Sequence, residues 1–157
     1  MSTIATTVIR HPKERLSKCS LTPLHGRPEM TFIIWSEQLR FEASEFTLLS
    51  VDAPPLSAAD ASRPLLILDS TWKLLPSLER CLTGAPYRRS IPPGVETAYP
   101  RISKDASDPH GGLASVEALY VARTMLGDAD PTLLDRYHWG AAFLTKLEAH
   151  PLLEGLS

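Results

Sequence analysis

Cysteine is nearly absent from this 157-residue chain, and long apolar runs are missing altogether. Cys19 and Cys81 cannot build a disulfide framework, and neither sits in a CxxC or Cys/His spacing, so no zinc or other metal site is expected. No stretch approaches the roughly 20 apolar residues of a membrane helix, which argues against a span. Met1–Arg10 lacks the charged-then-apolar layout of a secretory leader, so the expected location is the cytoplasm. There is no GxGxxG and no GxxxxGK[ST], hence no support for a dinucleotide or Walker phosphate site. A GxSxG elbow, a paired-carboxylate signature, internal repeats and low-complexity tracts are also lacking.

What remains is the composition of one folded domain spanning residues 1–157, with 43% hydrophobic and 22% charged residues. Proline is abundant, with 14 residues gathered in Ala53–Leu65, Ala85–Pro100 and around Pro109. Such clusters imply ordered but irregular connections, and long loops of that kind are often functional. The net charge of −2 hides four alternating blocks. Residues 10–27 set Arg10, Lys13, Arg15, Lys18 and Arg27 against Glu14, and residues 73–104 set Lys73, Arg80, Arg88, Arg89, Arg101 and Lys104 against Glu79 and Glu96. Residues 28–70 and 105–157 are acidic. The two basic blocks either form one face for a polyanion such as RNA or are ordinary solvated surface.

Thr3–Arg10 is rich in β-branched residues and reads as a strand. Lys13–Leu21 reads as a short helix. Thr31–Ser36 (TFIIWS), Phe46–Ser50 (FTLLS) and Leu65–Leu68 (LLIL) read as strands buried on both faces. Trp72–Leu82 reads as a helix kinked or delayed by Pro76, and Arg89–Ile91 as a short strand. The last third is helical: Ser115–Leu126 with Ser115 as N-cap and Gly127 beyond its end, then Thr132–Leu147 with Leu133, Leu134, Tyr137, Ala141, Leu144 and Leu147 on one side and Asp130-Pro131 or Thr132 at its start. Strands alternating with helices predict an α/β fold with a mostly parallel sheet, whose ligands bind at the carboxyl ends of the strands.

Three segments have the residue types for chemistry. In LLILDSTW, residues 65–72, an acid follows a buried strand; Asp69 there either accepts a proton or holds a ribose, or it caps the next helix, as Ser70 also would. Trp72 is either core or an aromatic wall beside a ligand. GGLASVEAL, residues 111–119, places small residues before a helix start with free N–H groups, and Glu117 complements the helix dipole. HPKERLSKCS, residues 11–20, combines a histidine, cations and Cys19; a positively charged loop beside RNA or a carboxylate ligand is the better reading than a Cys/His catalytic pair.

Taken together these segments resemble a family. HPKERLSKCS is similar to the His-x-Pro-Lys-x-Cys-Ser/Thr opening of the ribosomal small-subunit RNA aminocarboxypropyltransferases, and VDAPPLSAADAS to their Leu-Ser-Pro…Ser-Pro-Ala-Asp stretch. LLILDSTW resembles both their Val-x-Asp-Cys-Ser-Trp strand end and the Asp-x-Thr-Trp motif of the DTW-domain tRNA-uridine aminocarboxypropyltransferases. GGLASVEALYVA resembles the shared Leu-Ser-x-x-Glu-Ala helix start, and YHWGAAFLTKL the Phe-Lys-Trp-Gly-x-x-Phe-Leu segment. The matches run in order from about residue 8 to 153. The segment ETAYPRISKDASDPHGG is closer to the DTW branch, so the chain sits between the two.

The resemblance implies a SPOUT-like α/β fold with a C-terminal trefoil knot, and S-adenosylmethionine as cofactor. It implies transfer of the 3-amino-3-carboxypropyl group to N3 of a uridine or pseudouridine in rRNA or tRNA, by a monomer. Asp69 would be the catalytic carboxylate, as general base or cofactor contact. Ser20 would hold the amino-acid tail of the cofactor. Ser50, Val51, Pro54, Leu68 and Trp72 would surround its adenosine and sulfonium, and Leu113, Ala114 and Ser115 would supply backbone contacts. Arg10, Lys13, Arg15, Lys18, Arg88, Arg89 and Arg101 would face the RNA. Methyl transfer by the same cofactor, and a non-catalytic RNA-binding role, are the alternatives.

Overall fold

A computed structural model of the chain describes residues 3–13, 20–71, 73–99 and 113–148. In chain order it forms strands β1 (Thr6–Arg10), β2 (Met30–Ile34), β3 (Phe41–Glu42), β4 (Thr47–Leu49) and β5 (Leu65–Asp69), helix α1 (Leu75–Arg80), strands β6 (Leu82–Thr83) and β7 (Tyr87–Arg89), and helices α2 (Ser115–Met125) and α3 (Gly140–Glu148). The main sheet has the order β2-β1-β5-β4-β7, and every pairing in it is parallel. β3 and β6 form a separate parallel pair.

Alternation along the strands fills two cores. Val8, Leu49, Leu65 and Ile67 pack with Val116, Leu119, Leu133 and Phe143. Ile9, Leu48, Leu66 and Leu68 pack on the other face with Ala43, Leu78 and Cys81. A parallel sheet covered on both faces demands near-continuous apolar strands, and all five residues of β5 are buried. β2 departs from that expectation. It lies at the sheet edge, only Met30 of its five residues is buried, and Ile34 is 56% exposed.

α1 takes the delayed start: Pro76 sits in its first turn, where no N–H is needed. α2 begins as expected, but the residue in cap position is Ala114, and the Glu117 carboxylate accepts its N–H at 2.8 Å. At the other end Gly127 has φ +86°, and Asp128 N–H bonds back to Arg123 O at 2.8 Å, closing the helix with a left-handed residue. The expected single helix over 132–147 is two elements. A 3-10 turn, Pro131–Leu134, is capped by Asp130, whose carboxylate accepts Thr132 N–H at 3.0 Å. α3 follows after a break at which Gly140 packs tightly on the turn before it. A Cβ there would lie 2.7 Å from Leu134 O. Of the expected stripe Leu133, Leu134 and Leu147 are buried and Tyr137 and Leu144 partly so, but Ala141 is exposed and Phe143 takes the buried place on α3.

The helix expected over Lys13–Leu21 falls mainly on residues 14–19, outside those described; Ser20 and Leu21 enter a 3-10 turn, Thr22–Leu24. Residues 100–112 are also outside those described. Among the described residues no helix is long and apolar enough to cross a membrane.

The connections define where a ligand fits. The chain leaving β1 returns as its outer neighbour β2, packing Leu21 and Leu24 into the first core. The chain leaving β5 moves the opposite way, past β4 to β7, packing Leu78 into the second core. The carboxyl ends of β1 and β5 are thus a topological switch point, where diverging loops open a crevice.

Candidate functional site

At that switch point Arg10 and Asp69 are register partners on adjacent strands. Both side chains share the α2 face of the sheet with Val8 and Ile67, two positions back along each strand. Arg10 Nε lies 3.1 Å from Asp69 Oδ2, with side chains 1% and 5% exposed. The guanidinium also meets His25 Nε2 at 3.3 Å and lies 5.0 Å from the Phe32 ring centroid. The expectation that Arg10 faces RNA is therefore corrected. It lies inside, held by its strand partner, whereas a phosphate contact needs a cation at the surface.

The helix start expected to serve the site is at the same place. Ser115 Oγ donates toward Asp69 Oδ1 at 3.4 Å, and Ser20 Oγ accepts Val116 N–H at 3.0 Å. Three residues from three distant segments therefore converge: Ser20 after β1, Asp69 at the end of β5 and Ser115 in the first turn of α2. Asp69 does not cap α1, which starts at Leu75 with no side-chain cap. Leu113 is buried and Ala114 half-buried at the same helix start. Glu117 does more than complement a dipole. It is fully buried and accepts from Thr97 Oγ1 at 2.6 Å, Ala98 N at 2.9 Å, Ala114 N at 2.8 Å and Tyr137 OH at 3.1 Å. It ties the 97–98 segment and the turn before α3 to the α2 N-terminus.

The loop after β4 is also ordered at this edge. Ser50 N–H bonds to Arg89 O at 2.8 Å, Ser90 N–H to Pro54 O at 2.9 Å, and Ser90 Oγ to Ala53 O at 2.8 Å. Asp52 sits at φ +54° to make the turn. Ser50 is half-buried, while Val51 and Pro54 are exposed, so this loop offers a wall beside the end of β5. Leu68 differs: its side chain packs in the second core, away from Asp69 and α2. Trp72, Arg15, Lys18, Arg101 and Cys19 lie outside the described residues.

Lys13 is exposed. Arg88 projects from β7 and is half exposed, with NH1 2.6 Å from Glu79 Oε1 of α1. Arg89 points to the opposite face, where its Nε lies 3.2 Å from the buried carboxylate of Asp60, which also bonds Arg63. His11 is buried, stacks on Trp35 at 5.0 Å and accepts Lys13 N–H on Nδ1 at 3.1 Å. Burial first, then the Lys13 charge, holds its imidazole below the ordinary pKa. No group of three or more His, Cys, Asp or Glu that could hold a metal ion occurs among the described residues.

Sequence reasoning missed His25, Phe32 and Trp35 as neighbours of the site. Their only signal is position, before β2 for His25, in its middle for Phe32 and just past its end for Trp35, and it becomes readable once β2 is known to pair with β1.

The arrangement is that of a switch-point α/β domain with a carboxylate, two hydroxyls and a helix N-terminus at one carboxyl edge. No protein-family model and no curated protein sequence matches the chain. The fold is similar to that of the SAM-dependent rRNA:acp-transferase Tsr3 from Vulcanisaeta distributa, with a TM-score of 0.70 and 22% identity over 93% of this chain and 80% of that one.

Proposed function

We infer that this protein is an S-adenosylmethionine-dependent RNA aminocarboxypropyltransferase. It moves the 3-amino-3-carboxypropyl group to N3 of a uridine or pseudouridine and releases methylthioadenosine. The likeness to an rRNA enzyme favours rRNA over tRNA. In this reading the fold is SPOUT-like with a C-terminal knot, and the protein acts as a monomer in the cytoplasm. The observation that carries it is the convergence of Ser20, Asp69 and Ser115, which come from three separate motifs of the family resemblance, at one switch point.

The residues present fit this cofactor, whose amino-acid tail and sulfonium need an anion, hydroxyls and N–H donors. Asp69 supplies the carboxylate, Ser20 and Ser115 the hydroxyls, and the first turn of α2 its N–H groups. Ser50, Val51 and Pro54 line the side toward β4. When bound, S-adenosylmethionine supplies a γ-carbon already activated by its sulfonium, and methylthioadenosine leaves as that carbon–sulfur bond breaks. The protein orients the target nitrogen against that carbon. The proton on uridine N3 has to leave, and Asp69 is the carboxylate placed to take it or to hold the cofactor's cationic end. Lys13 and Arg88 bind phosphate.

Product analysis tests this. The protein is incubated with S-adenosylmethionine and undermodified rRNA, and the nucleoside by-product is identified by mass spectrometry. Methylthioadenosine is expected. S-adenosylhomocysteine would mean methyl transfer and overturn the aminocarboxypropyl reading.

A further inference from the structure

We propose that Arg10 is a positioning residue that sets the orientation of the Asp69 carboxylate, and that His25 and Phe32 set Arg10. The inference rests on Asp69 being the reacting carboxylate. Arg10 Nε binds Oδ2, and Oδ1 is turned toward Ser115 Oγ in the first turn of α2. A carboxylate gripped through one oxygen has little rotational freedom about its terminal bond, so the other oxygen is aimed. The grip is itself fixed on two sides. Arg10 lies over the Phe32 ring at 5.0 Å, and His25 stacks on the same ring at 3.8 Å. Arginine has only donors, so the 3.3 Å contact to His25 makes Nε2 the acceptor. His25 therefore carries its proton on Nδ1.

The geometry explains why an arginine stands inside the protein at the end of a strand. A lysine would keep the charge but lose the planar fork that reaches a carboxylate and an imidazole together. The β1–β2 pairing matters for the same reason. It brings the Phe32 ring alongside β1, and the turn carrying His25 precedes β2.

The test has two arms. In the first, 15N-histidine NMR of the intact protein reads the tautomer of His25. The Nδ1–H form is expected, with its Nε2 shift moving in Arg10→Lys. An Nε2–H form, or no change in Arg10→Lys, overturns the contact whatever the protein catalyses. In the second, methylthioadenosine release is followed in variants. Arg10→Lys should lower kcat by about a hundredfold, the cost of misplacing a catalytic group by about 1 Å, with KM for S-adenosylmethionine nearly unchanged. His25→Ala should lower kcat in the same direction, and His25→Gln, whose side-chain carbonyl accepts from Arg10, should restore most of the loss. Wild-type kcat in Arg10→Lys, or no rescue by His25→Gln, overturns the positioning role while leaving the transferase reading standing. A wild-type protein that releases no methylthioadenosine, with His25 in the expected tautomer, defeats the transferase reading and leaves the Arg10 anchor supported.

Discussion

A buried arginine stands at each end of the sheet, and the two are held in different ways. At the amino end Arg123, 1% exposed, reaches Glu29 at 3.0 Å and Asp128 at 2.8 Å. Arg27 closes the group by binding Glu29 at 3.0 Å and Asp130 at 2.7 Å, and Ile4 N–H adds a bond to Asp128 at 2.8 Å. This cluster joins the approach to β1, the turn before β2, the end of α2 and the cap of the Pro131–Leu134 turn. At the carboxyl end Arg10 pairs with Asp69 across two neighbouring strands and also meets His25 and the Phe32 ring, while the other oxygen of its acid faces a hydroxyl at a helix N-terminus. The amino-end acids are engaged by cations and main chain that fasten elements together. The carboxyl-end acid stands where the loops diverge, between Arg10 and Ser115. In an open α/β sheet ligands bind at that end, so the first arginine fastens the fold and, on the proposed function, the second would serve the site.

The largest effect expected is at Asp69. Asp69→Asn keeps the shape and an acceptor for Arg10 but removes the charge and the capacity to take a proton. Transfer should fall by about a hundredfold to ten-thousandfold, the range for a general base, and urea unfolding should also show a loss of about 3 kcal/mol, because Arg10, 1% exposed, keeps its charge without the opposing carboxylate. Wild-type turnover in this variant would sink the role of Asp69. Arg123→Met should separate stability from activity. It leaves Glu29 and Asp128, 10% and 14% exposed, without their shared cation. Breaking such a cluster costs about 3 kcal/mol or more, and activity per folded molecule should be unchanged. Equal loss of activity in both variants would erase the distinction between the two ends.

How much of this was legible in the sequence follows the same division. β5 was, because a strand buried on both faces and bounded by Pro64 and Asp69-Ser70 has few other readings. β2 carries a similar apolar run and turned out to be an edge strand. Composition records that a strand is apolar but not whether it has a neighbour on each side. The apolar stripe over 132–147 was legible as a buried surface but not as two elements, since the side chains reach one core across the break at Gly140. The place of Asp69 at the end of a buried strand was legible. Arg10 was not. Within a basic block it reads as surface, and its burial comes from pairing with an acid 59 residues away. Glu117 was legible as a first-turn acid, while its bonds to Thr97 and Tyr137 depend on loops whose return path no local pattern encodes.

Acid should separate the two ends by a smaller effect. Burial acts to raise the pKa of Glu29, but hydrogen bonds from the main chain, Arg27 and Arg123 outweigh it and hold it below the ordinary value. The Thr132 hydroxyl, with Arg27, does the same for Asp130 against its burial. Both are lower in the folded than in the unfolded chain, so their stabilisation is present above the ordinary carboxylate range and lost as pH falls below about 4. His11 at the carboxyl end is held below its ordinary value of 6.5 by burial and then by Lys13. The unfolded chain takes that proton first, so this contribution is present above pH 6.5 and declines as pH falls below it. Unfolding free energy measured from pH 8 to 3 should fall in two stages, and His11→Phe should remove the earlier one alone. A single transition below pH 4 in the wild type would show that His11 contributes nothing.

The smallest effect is expected at the surface of the carboxyl end, where Arg88 and Arg89 are adjacent in sequence but not equivalent. Arg89 is bound to buried Asp60, so reversing its charge places two acids together and disturbs the fold before it reports on RNA. Arg88 is half exposed, and its partner Glu79 is itself about a third exposed, a pairing worth little in water. Arg88→Glu should leave stability and cofactor affinity close to wild type and weaken RNA binding only a few-fold. The diagnostic is the salt dependence: the slope of log affinity against log salt should become shallower by about one unit, as expected when one phosphate contact is lost. An unchanged slope would take Arg88 out of the RNA interface. The basic character of residues 73–104 would then be surface charge balanced by its own acids, and the RNA would have to be held elsewhere on the carboxyl edge, with Lys13 the cation to test next.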